Sequence, residues 1–458
     1  MLEFIETFKA WAESFGALPD GKNCHWRMNI AEDAFETGGA FFGYVEPTEA
    51  RSGPYHDFSL VVFPDNNERE WLVALGVGSL GFNNDYELAS QPGIRRRYQR
   101  LVTDKGFIKS DFRDIEKRIP NDFYESAPHL KTAINRYKTV LSACEIVNPY
   151  SEEGARKIKG FLALYADIRE WGSNNTRRKA ISDSIAAAQT TQKDSNDEEN
   201  VCVLLTERKY VVLQGPPGTG KTRLAKRMAD KLHAKVFFSQ FHAETSYAEF
   251  VQGLRPKLNS SELIYESIDG ALVQSIKYAQ KHTNEKVVLI IDEINRANLS
   301  NVLGPVFYLF EYQMDSSNVQ IAVTDTLSLD KLPENLYVVA TMNTADRSLA
   351  VVDFALRRRF AWYTLWPKAI TPSNGLMFFK EYFDRIEQIF EQYASDEELN
   401  LQPGQGYFLA HNEDEMKQRL RYEVLPLVKE YLVEGLLSAS QDEFNDFFHR
   451  SINESIFR

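Results

Sequence analysis

Hydrophobic and polar positions follow several rhythms along this chain. The opening MLEFIETFKAWAESFG places apolar side chains at helical spacing and predicts an amphipathic helix. DFSLVVFPDNNEREWLVALGVG (57–78) reads as strand, polar turn and strand, with Pro64-Asp65-Asn66-Asn67 as the turn. GIRRRYQRLV (93–102) opens a more helical stretch, and 127–147 and 154–171 carry apolar positions at helical spacing. Residues 173–200 are polar and small, which predicts a linker with a short helix and a domain boundary inside it. From 201 onward short apolar runs alternate with helical stretches. KYVVLQ (209–214), KVFFSQ (235–240), KVVLIIDE (286–293) and LYVVATMN (336–343) have the consecutive β-branched and aromatic residues of strands buried on both faces of a parallel sheet. This predicts an α/β domain. After Pro367 the runs stop, and 373–458 read as helices. The expected organisation is a mixed α+β domain over 1–172, a linker over 173–200, an α/β domain over 201–367 and a helical subdomain over 368–458.

Composition supports several packed cores. The chain has 458 residues, 43% of them hydrophobic, and 22 aromatics fall in the first 150 positions. The net charge of −12 argues against coating nucleic acid by bulk charge. That charge is uneven, however. Residues 1–150 carry −5, 369–458 carry −9, and the middle, 151–368, carries +2. Any DNA contact is therefore expected at a local patch or a ring surface; Arg95, Arg96, Arg97 and Arg100 around Tyr98 form one such patch. Three cysteines, Cys24, Cys144 and Cys202, lie far apart without metal-ligand spacing, which points to the reducing cytosol. No run approaches the ~18 apolar residues of a membrane span.

The candidate chemistry lies in the α/β region. Gly215-Pro216-Pro217-Gly218-Thr219-Gly220-Lys221-Thr222 follows a strand and precedes a helix, matching GxxxxGK[ST] in its required setting. Its backbone N–H groups can close around phosphate oxygens. Lys221 would reach the β- and γ-phosphates, and Thr222 would offer its hydroxyl to Mg²⁺. The strand VVLIIDE leaves Asp292 and Glu293 at the sheet's carboxyl edge, suited to the Mg²⁺ shell and to the attacking water respectively. Asn343, in MNTADRS after another buried strand, could contact the γ-phosphate or the water; Asp346 and Arg347 follow within one turn. Arg357, Arg358 and Arg359 follow VVDFAL, where arginines can serve a neighbouring subunit's γ-phosphate or form a solvated face. The eight histidines are scattered and no nuclease motif is visible.

LQGPPGTGKT, SQFHAETSYAEFVQGLRP, IIDEINRANLSNVLGPVFYLFE and MNTADRSLAVVDFALRRRF together resemble the motor subunits of McrBC-type modification-dependent restriction systems, a branch of the AAA+ superfamily. The resemblance covers about 205–367, with QPGQGYF and VLPLVKEYL similar more weakly. It implies an AAA+ P-loop core with a C-terminal helical lid, GTP rather than ATP as nucleotide, Mg²⁺, and a hexameric ring. It also implies a separate McrC-like nuclease subunit and DNA, often modified, as target. By the same resemblance, Lys221, Thr222, Asp292 and Glu293 serve phosphates, metal and water. Asn343, Thr344 and Asp346 form the NTxD signature, Arg347 contacts nucleotide, and Arg358 or Arg359 acts in trans. The rival reading is an ATP-dependent, MoxR-like remodelling chaperone, which shares the α/β core and helical lid. The NTADRS and RRRF blocks and the additional N-terminal region favour the restriction motor.

Overall fold

The computed structural model describes every residue except 19–21, 68, 121–122, 124–126, 190–195, 260–261, 312–319, 347–353, 373–374 and 458. It forms two compact units, Met1–Lys193 and Asp194–Arg458.

The first unit is built on a six-stranded antiparallel sheet. Its strands are β1 (His25–Asn29), β2 (Phe41–Val45), β3 (Phe58–Phe63), β4 (Trp71–Val77), β5 (Gly106–Ile108) and β6 (Leu141–Val147), in the order β1-β2-β3-β4-β6-β5. β4 shows why the sheet is buried on both faces. Trp71, Val73, Leu75 and Val77 join the core under the helices Leu2–Phe15 and Glu152–Ile168, while Leu72 and Ala74 face a second cluster with Ile134, Leu141 and Cys144. Alternate side chains point to opposite faces, so every position of such a strand must be apolar or small. The β3–β4 connection is held by Asp65, which accepts from the N–H of Asn67 at 2.9 Å.

One expectation changes here. Within 127–147 only Pro128–Leu130, a 3-10 turn, and Lys131–Tyr137, an α-helix, are helical, and Leu141–Val147 is the strand β6 between β4 and β5. A strand buried on both faces shows no alternation, so its run was open to a helical reading. Within 173–200, Asn175–Ala188 is a helix capped by the Asn174 side chain, and its Ile181 and Ala188 belong to the first unit's core. Asp197–Arg208 is a helix of the second unit, with Val201 and Leu205 buried there.

The second unit holds a five-stranded parallel sheet. Its members are β7 (Tyr210–Gly215), β8 (Lys235–Gln240), β11 (Val287–Asp292), β14 (Leu336–Asn343) and β15 (Ala361–Thr364), in the order β15-β7-β14-β11-β8. β7, β11 and β14 are almost wholly buried. β8 is the edge strand, so Val236 and Phe238 are exposed, unlike the doubly buried strand its sequence suggests. Two hairpins interrupt the α/β succession: β9 (Gln252–Asn259) with β10 (Glu262–Asp269), and β12 (Ile321–Thr324) with β13 (Leu327–Leu329). The helices Lys380–Tyr393, Glu413–Arg419, Leu425–Val433 and Gln441–Ile452 enclose a core of their own, joined by a short ladder of Met377–Phe378 with Leu409–Ala410. Among the described residues no helix is long and apolar enough to cross a membrane.

Candidate functional site

The site forms at the carboxyl edge of the parallel sheet. β7 ends at Gly215, and the helix Lys221–Lys231 starts after a turn made by Gly218 (φ 79) and Gly220 (φ 85). These left-handed angles cost glycine nothing and strain residues with a Cβ. Thr219 Oγ1 donates to the Pro216 carbonyl at 2.9 Å. Lys221 is buried, and its Nζ donates to the carbonyls of Gly215 (2.9 Å) and Pro216 (2.8 Å) and to Asn343 Oδ1 (2.7 Å). Burial pushes its ammonium down to about 8, opposed by the carboxylates of Glu293, Asp346 and Asp292.

β14 lies between β7 and β11, pairing Asn343 with Gly215. Asn343 therefore spans both neighbours. Its Oδ1 accepts from Lys221, and its Nδ2 donates to Glu293 Oε1 at 3.0 Å. Thr222 Oγ1 and Thr341 Oγ1 both donate to Asp292 Oδ1, at 2.7 and 2.6 Å. Thr341 also accepts from the N–H of Glu293 at 3.1 Å, which fixes the backbone just where Glu293 turns left-handed (φ 56). A non-glycine residue held at such an angle is a strained position of the kind that gathers at functional sites. Burial raises the Glu293 carboxyl above its ordinary range, countered by Arg296 and Lys221. Arg296 contacts Glu293 at 3.4 Å and Asp346 at 3.1 Å, so Asp346 joins the site through an arginine. Thr344 N donates to the Gly215 carbonyl at 3.1 Å. Arg347 lies outside the described residues.

Thr222 and Asp292 present two hard oxygen donors that already meet, which suits Mg²⁺ rather than a softer metal.

The arginine triplet ends the helix Phe354–Arg359 and divides by environment. Arg357 lies over the Trp362 ring at 5.3 Å. Arg358 is 70% exposed and reaches Glu311 at 2.8 Å. Arg359 is 10% exposed, paired with Glu311 at 2.5 Å and stacked on Phe307 at 4.3 Å. His242 pairs with Glu249 at 3.6 Å, while its backbone N–H donates to Thr245 Oγ1 at 2.9 Å.

Several site residues escape a reading of motifs. Thr341 and Arg296 enter through the sheet register and a one-turn reach. The segment 402–408 packs on the phosphate loop: Gly404 N donates to the Pro217 carbonyl at 2.8 Å and Gln405 Nε2 to that of Thr219 at 2.8 Å. The sequence marks this segment only as QPGQGYF, the block that resembles the family weakly, and nothing in it says that it meets the loop 215–222.

In the first unit the arginine patch at 95–100 does not offer a stacking platform. Tyr98 is fully buried against Phe112 and Phe161, because it lies on the inward face of the helix Pro92–Gln99. Arg97 pairs with Asp167. A cavity of about 600 Å³ lies elsewhere, lined by Phe41, Tyr55, Phe63, Tyr137, Arg51 and Arg136 among others. Phe63 and Tyr137 pack at 4.8 Å, and the Arg27 guanidinium sits 4.9 Å from the Tyr55 ring.

A family model for an AAA domain (dynein-related subfamily) matches residues 210–360. The chain is 34% identical over 260 residues to the Type IV methyl-directed restriction enzyme EcoKMcrB subunit of Escherichia coli, covering 51% of this chain and 56% of that protein. It is 26% identical over 191 residues to the Type II restriction enzyme BsuMI component YdiS of Bacillus subtilis, covering 33% of this chain and 55% of that protein. The chain thus spans about half the length of these curated relatives.

Proposed function

We propose that the chain, similar over about half its length to an McrB subunit, is an McrB-like AAA+ protein and the nucleotide-hydrolysing motor subunit of an McrBC-like restriction complex, using GTP in preference to ATP. The observation that carries this reading is Asn343, one amide that ties the phosphate-loop lysine to the carboxylate at the end of β11. Phosphate binding and water activation are thereby linked through a single side chain. Lys221 and the loop N–H groups bind the phosphates. Thr222 and Asp292 would hold Mg²⁺, which when bound neutralises phosphate charge. Glu293, its proton affinity raised by burial, takes the proton of the attacking water. Asp346 restrains Arg296, and Arg347 is assigned a nucleotide contact by resemblance alone.

Arg358 is the better candidate for the trans arginine, because its exposure leaves it able to reach a neighbour while Arg359 is held in a buried pair. A ring, hexameric by resemblance, follows from that assignment, and the exposed apolar edge of β8 supports a subunit contact. The nuclease is supplied by an McrC-like partner. DNA is read by the first unit, where the aromatic-walled, arginine-rimmed cavity has the chemistry to receive an extrahelical base.

Hydrolysis of GTP and ATP by the wild type and by Glu293→Gln tests the reading. GTP turnover is expected to exceed ATP turnover and to fall about 100-fold or more in the variant, with nucleotide still bound. Undiminished turnover in Glu293→Gln would remove Glu293 from the chemistry, and ATP-only hydrolysis would return the chain to the chaperone reading.

A further inference from the structure

The phosphate loop is covered from behind by a strap from the helical subdomain. Gly404 N donates to Pro217 O at 2.8 Å and Gly406 N to Gly218 O at 2.9 Å, while Gln405 Nε2 donates to Thr219 O at 2.8 Å. Three consecutive loop carbonyls thus point at the strap. In a trans peptide the carbonyl and the following N–H point in opposite directions. The N–H groups of Gly218, Thr219 and Gly220 must therefore point away from the strap, the direction a phosphate cradle requires.

The fit leaves little slack. A Cβ on Gly404 would lie 2.3 Å from the Gly218 carbonyl carbon and 2.4 Å from Thr219 N. The Tyr407 ring would lie 2.7 Å from a Cβ on Gly218. Gln405 is 8% exposed, and its Oε1 accepts from Lys368 N at 3.3 Å, tying the strap to the chain that leaves the α/β core. Arg419 anchors the far side through the carbonyls of Gly406 (3.1 Å) and Leu409, and pairs with Glu423 at 2.7 Å.

We propose that this strap, with Gln405 as its side-chain clamp, sets the orientation of the phosphate-loop N–H groups from behind the loop. Gln405 is then a positioning residue. The proposal rests on the reading of 215–222 as the nucleotide site.

The test uses the full chain with Gln405→Glu, which keeps the shape and replaces the donor by an acceptor. Gln405→Met takes its place if the charged variant does not fold. Binding of the non-hydrolysable analogues GMPPNP and AMPPNP is titrated in the presence of Mg²⁺, and amide hydrogen exchange is followed across 216–220 in the nucleotide-free chain. Affinity for the better analogue is expected to fall about tenfold, with faster exchange in the loop and a melting temperature close to wild type. Wild-type affinity and exchange in a folded variant would overturn the proposal, as would a loss of affinity that merely tracks a loss of folded protein. Lys221→Ala separates the two levels. If it also binds as wild type, the nucleotide-site reading fails. If it loses binding while Gln405→Glu keeps it, only the strap proposal fails.

Discussion

At the scale of single residues, burial sets the chemistry of the site. Lys221 has a folded-state value of about 8 against an ordinary 10.5. Between these values the unfolded chain holds a proton that the folded chain lacks, so this lysine adds stability to the nucleotide-free protein as pH rises across that window. Phosphates favour the ammonium, so nucleotide binding above about pH 8 should take up a proton. Calorimetry in two buffers of different ionisation enthalpy measures it, and zero uptake would mean that Lys221 does not face the phosphates. The Glu293 shift has the opposite consequence for turnover. Its basic form is lost as pH falls through a raised value, so the acid limb of kcat should lie above the ordinary carboxylate range and vanish in Glu293→Gln. Both carboxylates and the lysine are legible as motifs. Their coupling through Asn343 is not, because it depends on β14 lying between β7 and β11.

At the scale of elements, the helix Phe354–Arg359 carries two arginines that a motif cannot separate. Arg359→Ala removes the buried arm of this pair and its stacking on Phe307, leaves Glu311 with Arg358 alone, and should cost about 1–2 kcal/mol in a denaturant melt. Arg358→Ala should leave the melt unchanged and abolish assembly-dependent hydrolysis. Mixing it with Glu293→Gln subunits should restore turnover above either variant alone, because some interfaces then hold an intact finger and an intact carboxylate. No recovery on mixing would place Arg358 outside the shared site. β6 and the β9–β10 hairpin mark where local pattern falls short. The first is buried on both faces and lacks alternation, and the second adds a ladder inside a stretch that otherwise alternates strand with helix.

At the scale of the whole molecule, the two units have separate cores. Residues 1–193 should therefore fold alone and melt cooperatively. Asp85 and Arg169 form a buried pair at 2.6 Å within that unit, so Asp85→Ala should lower its stability by about 3–5 kcal/mol without changing the melt of the second unit. If this unit reads DNA, Arg51→Ala with Arg136→Ala should weaken binding and reduce the salt slope by about 1 for each arginine in contact with phosphate. An unchanged slope in a gel-shift series would move the DNA contact away from this cavity rim.

The sequence by itself determines the glycine-rich loop 215–222, the carboxylates at the end of β11, the NTAD segment and the apolar runs that become β7, β11 and β14. Each of these is written in contiguous residues whose spacing or apolar run carries its own physical requirement. Only the tertiary structure decides that Asn343 joins Lys221 to Glu293, that Arg358 is exposed while Arg359 is buried, that Tyr98 is core, and that a strap near residue 405 lies against a loop near residue 218. These depend on strand order and on contacts between segments far apart in the chain, where no local periodicity records which partner will arrive.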